Sequence, residues 1–311
     1  MGKVLLVGEP MVLLTATDYG ELEDIKNFDV SLAGAEVNVC IGLTRLGHTA
    51  TYLTVLGEDP FGKNILKQLK KENLDTSLIV FDKENKTGMM MKNKVREGDP
   101  KIAYYRKGSA FSQIDPDIID TINIKEYDQV HITGIACAVS QYSYQTIEKL
   151  AQKAKEAGIY VSFDPNLRPQ LWSSEEEMIK TLNHMAKYAD MILPGIGEAK
   201  ILTGYDEPNE IAKFYQNLGV SEVVIKDGSN GAYLYTKEDN YFVPSFKVEK
   251  VVDSVGAGDG FASGVISARL EGKNEVEILQ RGNAIGAMQV SVVGDNEGLP
   301  TQEKLQEFLS Q

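Results

Sequence analysis

Residues 128–166 read "DQVHITGIACAVSQYSYQTIEKLAQKAKEAGIYVSFDPN", and this stretch decides the fold. "DQVHITG" is a short run with β-branched Val130, Ile132 and Thr133, a strand. "YSYQTIEKLAQKAKEAG" has apolar residues at helical spacing and stops on Gly158. "IYVSFDPN" returns to strand. A strand, a helix and a second strand make the repeating unit of a parallel sheet, because a parallel return needs a crossover.

The alternation continues in both directions. Upstream, "KVLLVG" is a strand, "GAEVNVCIGLTRLG" a helix closing at Gly47, and "TATYLTVLG" a strand. "EDPFGKNILKQLKKENL" is a helix with Asp59 as N-cap, Pro60 at its first position, and Phe61, Ile65, Leu66 and Leu69 inward. "SLIVFD" is again a strand. Downstream, "SSEEEMIKTLNHMAKYA" is a helix with Ser174 and Glu177 at capping-box spacing. Strands "DMILPG", "EVVIKDG" and "GAYLYT" follow, then long helical segments from near Gly256 and Asn274, and a last helix, "TQEKLQEFLSQ". One segment breaks the pattern. "TGMMMKNKVREGDPKIAYYRKG" is a hairpin around the turn "EGDP". The expectation is one α/β domain over 1–311, with helices on both faces of a mostly parallel sheet. A small β appendage would come from about 87–106 and 10–33. In such sheets ligands bind beyond the carboxyl ends of the strands. That nominates Gly8-Glu9, Gly134, Asp164–Arg168, Pro194–Glu198 and Lys226–Gly228.

Composition narrows the partners. The formal net charge is −13, with 42% hydrophobic and 25% charged residues. An ordinary core can be buried, while a field of that sign repels nucleic acid and anionic membrane. An anionic ligand would need the few basic residues gathered at its site. Cys40 and Cys137 sit in apolar runs and read as buried thiols; His48, His131 and His184 are scattered. Neither zinc nor a disulfide framework is supported. No apolar stretch approaches a membrane span, and the first residues read as a strand rather than a signal peptide. A cytoplasmic protein is expected.

Two glycine-rich stretches compete as phosphate binders. "GEDPFGKN" (57–64) has half of a P-loop, but Asn64 stands where a hydroxyl is needed, Pro60 removes an amide, and Glu58 and Asp59 would face the phosphates. It reads better as a capped helix start. "DSVGAGDGFASG" (253–264) fails as a dinucleotide fingerprint because Phe261 replaces the third glycine. Gly256, Gly258 and Gly260 still open a helix where amides could meet an anion. Alone, that stretch supports a charged helix start and an anion site equally.

The balance changes when the matches are taken in order along the chain. "GAGDGFASG" resembles the C-terminal signature of the ribokinase-like (PfkB-type) carbohydrate kinases, and "AGAEVNVCIGLTRLG" (33–47) their N-terminal one. "GEDPFG", "DPNLR" (164–168) and "KDGSNG" (226–231) are similar to further family elements. The resemblance implies a three-layer α/β fold with a β lid, and transfer of phosphate from Mg-ATP to a sugar hydroxyl. It implies Asp259 as the base, with the amides of Gly256, Ala257 and Gly258 as the anion hole. Asn166, Lys226, Gly228, Ser229 and Gly231 would lie along ATP, and Asn283 near the adenine. Glu198 would organise magnesium through water, although Gly195 replaces the family's Asn. Asp253 and Val255 match positions that hold a monovalent cation such as K⁺ in some relatives.

Within the family, "YYRKGSA" (104–110) resembles the lid segment of 2-keto-3-deoxygluconate kinases. The resemblance places Gly34, Asn38, Tyr104, Arg106, Ile135, Arg168 and Asp295 around a sugar acid. Two arginines suit a carboxylate, which a neutral hexose lacks. Tyr105 and Lys107 alternate to the other strand face and are not assigned. The implied reaction is phosphorylation of 2-keto-3-deoxygluconate at its 6-hydroxyl. The rivals are a fructokinase, a ribokinase-type or 2-keto-3-deoxygalactonate kinase and, from another class, a non-catalytic sugar-binding regulator. A homo-oligomer through the lid strands is expected from the family.

Overall fold

The computed structural model describes residues 1–96 and 100–310. The "EGDP" turn falls largely on 97–99, outside the described residues. The chain begins with β1 (Lys3–Val7), β2 (Met11–Tyr19), β3 (Phe28–Ala33), α1 (Ala35–Arg45) and β4 (Thr49–Gly57). Then come α2 (Pro60–Lys71), β5 (Ile79–Asp82), β6 (Met89–Lys94) and β7 (Ile102–Tyr105). The opening stretch supplies β8 (Gln129–Thr133), the short α3 (Gly134–Ala138), α4 (Gln141–Glu156) and β9 (Tyr160–Asp164). Next are α5 (Glu175–Ala186), β10 (Met191–Ile192), α6 (Ile196–Thr203), α7 (Pro208–Asn217) and β11 (Glu222–Lys226). The chain ends with β12 (Gly231–Tyr235), β13 (Asn240–Pro244), α8 (Ala257–Leu270), α9 (Glu275–Gln289) and α10 (Gln302–Leu309).

The main sheet has nine strands in the order β13-β12-β11-β10-β9-β8-β1-β4-β5. All its pairs are parallel except β11 with β12 and β12 with β13. Strand alternation feeds both faces. From β1, Leu5 and Val7 enter one core cluster and Val4 and Leu6 the other. Helices cover both clusters, which makes the three layers. A second sheet, β3-β2-β6-β7, packs Met11, Leu13, Ala33 and Met90 against Tyr104. Its β2 and β6 are parallel, while β2–β3 and β6–β7 are antiparallel.

Strand β1 is flanked by β8 on one side and β4 on the other, so the chain changes direction there. The crevice at such a switch point is where open α/β sheets take ligands. Local readings mostly hold. The Asp59 side chain accepts from the amide of Gly62 at 2.9 Å, capping α2 and occupying the region a P-loop would need for phosphate. Phe61 departs from expectation and is 39% exposed, while Ile65 and Leu69 are buried. Residues four apart are rotated by about 40° on a helix, and here only two of the three fit the inner face. At α5 only half the capping box forms: the Ser174 hydroxyl accepts from the amide of Glu177. The elements α6, α7 and β13 were not anticipated.

Candidate active site

The site is built at the start of α8. Gly256 has φ of +75°, and a Cβ there would lie 2.1 Å from the Asp295 carbonyl oxygen. Only glycine takes that turn so close to another backbone without strain. The turn aims Asp259, in the first turn of the helix, into a cavity of about 380 Å³. Its two oxygens are held separately. Asn38 Nδ2, from α1, donates to Oδ2 at 2.9 Å. Asn166 Nδ2, from the loop after β9, donates to Oδ1 at 3.3 Å. Burial pushes the Asp259 carboxyl above the ordinary range, and Asn38, Arg168, Lys226 and Asn166 pull it back. The result is an ionisable carboxylate that lines the cavity, hydrogen-bonded by two neutral amides with two cations nearby.

A second buried carboxylate lies close by. Asp164, the last residue of β9, accepts from Lys226 Nζ at 2.8 Å. Burial pushes it up to about 6, against the pull of Lys226. Burial works against the charge on Lys226, but Asp164 and Glu198 more than restore it. Glu198, in the first turn of α6, has both oxygens engaged by amides, from Gly195 at 2.7 Å and Leu167 at 2.8 Å. Gly195 has no side chain to offer, so its amide is the cap's partner. Among the described residues no group of three or more His, Cys, Asp or Glu is set to hold a metal.

The opposite wall comes from the small sheet and the end of β1. Arg106, just past β7, donates from Nε to Glu9 Oε2 at 2.6 Å, and both side chains are buried. Tyr104 lines the same wall, with the Arg106 guanidinium 5.9 Å from its ring centre. Arg168 is half-buried and donates Nη1 to the Leu167 carbonyl at 2.7 Å. Burial pushes Asp295 up to about 7, against the nearby Lys92 charge. Burial also pushes Glu36 to about 7, and it accepts the Thr133 hydroxyl.

The cavity gathers Gly34, Asn38, Tyr104, Arg106, Ile135, Asn166, Arg168, Glu198, Lys226, Val255, Gly256, Gly258, Asp259 and Asp295. The other expected positions lie outside its lining. Ala257 directs its amide at the Ser254 carbonyl over a long 3.4 Å. Asp253 pairs with Lys92 of β6 at 3.3 Å. Gly228 and Ser229 stand in the turn between β11 and β12. Gly231 opens β12, where a Cβ would lie 2.2 Å from the Val243 carbonyl oxygen. Asn283 donates Nδ2 to the carbonyls of Val243 and Pro244, pinning the end of β13. Sequence reasoning assigned no role to Glu9, Glu36 or Met11, which also line the cavity. Glu9 stood only among the residues after strands. Glu36 looks like any acidic residue in a first helical turn.

Residues 1–302 match a family model described as pfkB family carbohydrate kinase. A 2-dehydro-3-deoxygluconokinase of Bacillus subtilis (strain 168) is 44% identical over 304 residues, covering 97% of this chain and 94% of that protein. One from Thermoproteus tenax is 33% identical over 312 residues, covering 99% and 94%. A putative ribokinase II from E. coli, solved in complex with ATP and Mg²⁺, superposes with a TM-score of 0.90 at 26% identity, over 100% of this chain and 99% of that one.

Proposed function

The chain belongs to the pfkB family of carbohydrate kinases, and on that footing we propose that it phosphorylates 2-keto-3-deoxygluconate (2-dehydro-3-deoxygluconate) at the 6-hydroxyl, using ATP. The observation that carries the reading is the pairing of two features in one cavity. A carboxylate held by amides, Asp259, shares it with the guanidinium groups of Arg106 and Arg168. The first fits a general base. The second fits a substrate carboxylate.

In this mechanism the small sheet acts as a lid over the sugar acid. Arg106 and Arg168 orient the carboxylate end, with Tyr104, Ile135 and Gly34 shaping the pocket. Asp259 takes the proton of the attacking hydroxyl. Phosphoryl transfer then relies mainly on positioning and charge stabilisation. The amides of Gly256, Ala257 and Gly258 meet the developing negative charge at the start of α8. Lys226, Gly228, Ser229 and Gly231 run along the nucleotide, and Asn283 shapes its adenine end by holding β13. Glu198 is the carboxylate that would face the water shell of Mg²⁺, which neutralises phosphate charge when bound. Its existing amide partners suit an ion that arrives on the nucleotide. A monovalent cation would belong at Asp253 and Val255, where Lys92 competes for the same carboxylate. The small sheet leaves Val30, Ile102 and Tyr105 exposed, a surface that suits a homo-oligomer through the lid strands. Buried free thiols at Cys40 and Cys137 suit a reducing cytoplasm.

The test is ADP release over a panel of 2-keto-3-deoxygluconate, its galactonate epimer, 5-dehydro-2-deoxygluconate, fructose and ribose. The expected result is the highest kcat/KM on 2-keto-3-deoxygluconate. A higher value on fructose or ribose overturns the sugar-acid reading. No turnover on any sugar overturns the kinase.

A further inference from the structure

We propose that Glu9 is a positioning residue for substrate selection: it clamps Arg106 between body and lid so that the guanidinium offers its terminal fork to the sugar acid. The inference rests on the sugar-acid reading above. Glu9 itself lies outside the residues to which that reading gives a role.

Three observations meet at this carboxylate. Glu9 follows β1 of the main sheet, while Arg106 and Ser109 follow β7 of the lid, so one side chain ties the two sheets together. Oε2 receives Arg106 Nε at 2.6 Å, and Oε1 receives the Ser109 hydroxyl. Gly88, just before β6, leaves room for it. A Cβ at Gly88 would lie 2.3 Å from Glu9 Oε1. The clamp is also dry, with side-chain exposures of 7% for Arg106 and 2% for Glu9.

The geometry of the guanidinium gives this clamp its consequence. An arginine can meet a carboxylate along its Nε edge or end-on through its two terminal nitrogens. Glu9 takes the Nε edge. Among the described residues Nη1 and Nη2 have no protein hydrogen-bond acceptor, and Arg106 lines the cavity. The long side chain is therefore ordered before substrate arrives, and binding does not bear that entropy. The Glu9 charge opposes a second carboxylate close to Nε, so a sugar acid entering in a shifted register is disfavoured. Selection then comes from orientation as much as from positive charge.

The experiment is a double-mutant cycle on Glu9 and Arg106, read as KM for sugar, KM for ATP and kcat. Glu9→Gln should raise KM for 2-keto-3-deoxygluconate about tenfold and leave KM for ATP within about twofold, the size of a displaced buried contact. In the Arg106→Ala background the same change should shift KM for sugar by less than about twofold. Gly88→Ala displaces Glu9 without altering any charge, and should reproduce the rise in KM. Ser109→Ala should do so more weakly. Equal effects of Glu9→Gln in both backgrounds would make Glu9 independent of Arg106 and overturn the proposal. A fall in KM for the sugar acid would also overturn it, since charge alone would then govern binding. If Glu9→Gln fails to fold, the Gly88→Ala and Ser109→Ala arms decide. The cycle can be run on whichever sugar the panel selects, so failure of the substrate reading and failure of the clamp give different results.

Discussion

The start of α8 and the end of β9 both bury an aspartate, and they stabilise it in different ways. Asp259 is held by the amides of Asn38 and Asn166. Asp164 is held by the ammonium of Lys226 at 2.8 Å. The difference lies in what protonation would cost. A proton on Asp164 strands a buried cation, so that carboxylate is a structural partner. A proton on Asp259 leaves hydrogen-bond partners that are neutral, with the Arg168 and Lys226 charges nearby but not hydrogen-bonded to it. A general base must accept a proton in the transition state, and the amide-held group can do so at less expense. Lys226, the partner of Asp164, lines the same cavity as Asp259, and in the proposed mechanism only Asp259 changes charge during turnover.

The largest expected effect follows directly. Asp259→Asn keeps the shape and removes the proposed base. It should lower kcat by at least about 10³-fold while leaving the Kd for ATP within about twofold. Single-turnover kinetics and nucleotide titration check both halves. A kcat near wild type would erase the distinction between the corners. Asp164→Asn probes the other side. Removing one partner of a buried ion pair leaves Lys226, among the described residues, with only Glu198, at 3.9 Å, as an ion-pair partner. Breaking such a pair should destabilise the fold by about 3 kcal/mol, read from urea unfolding at neutral pH. Unchanged stability would mean that the pair adds nothing to the pairing of β9 and β11 through β10.

These two corners were not equally legible in the sequence. Gly256 and Asp259 belong to one local helix start, and the run of small residues announces it. The Asn38–Asp259 contact spans 221 residues, and only resemblance to a family brought its members together. The hairpin and the strand–helix alternation were read from periodicity, which reports local geometry well. Periodicity missed α6 because it is a short helix of eight residues with no side-chain cap on Gly195. It missed β13 because its Tyr241 and Val243 face inward from a short, half-exposed edge strand. The Glu9–Arg106 pair joins two sheets across 97 residues, and neither partner carries a pattern of its own. Charge pairing of that kind is set by topology, and no window along the chain contains it.

A third buried carboxyl extends the comparison and yields the smallest expected effect. Glu36 has no ion-pair partner among the described residues; it accepts from the Thr133 hydroxyl and its own backbone amide, and burial pushes it to about 7 from an ordinary 4.5. The folded protein therefore holds this proton more tightly than the unfolded chain. Its stabilising contribution is complete below pH 4.5 and is lost as pH rises through about 7. Glu36→Gln imitates the protonated state, and its amide oxygen can still accept from Thr133. The substitution should be near neutral at pH 5 and stabilising at pH 8.5, by roughly 1–2 kcal/mol, within the ceiling of about 3 set by linkage. Unfolding midpoints of wild type and variant at the two pH values measure this. A gain that is equal at both would show that Glu36 ionises as freely in the fold as in water. Buried carboxyls at this cavity would then need no partner to remain charged, and the contrast between Asp259 and Asp164 would lose its physical basis.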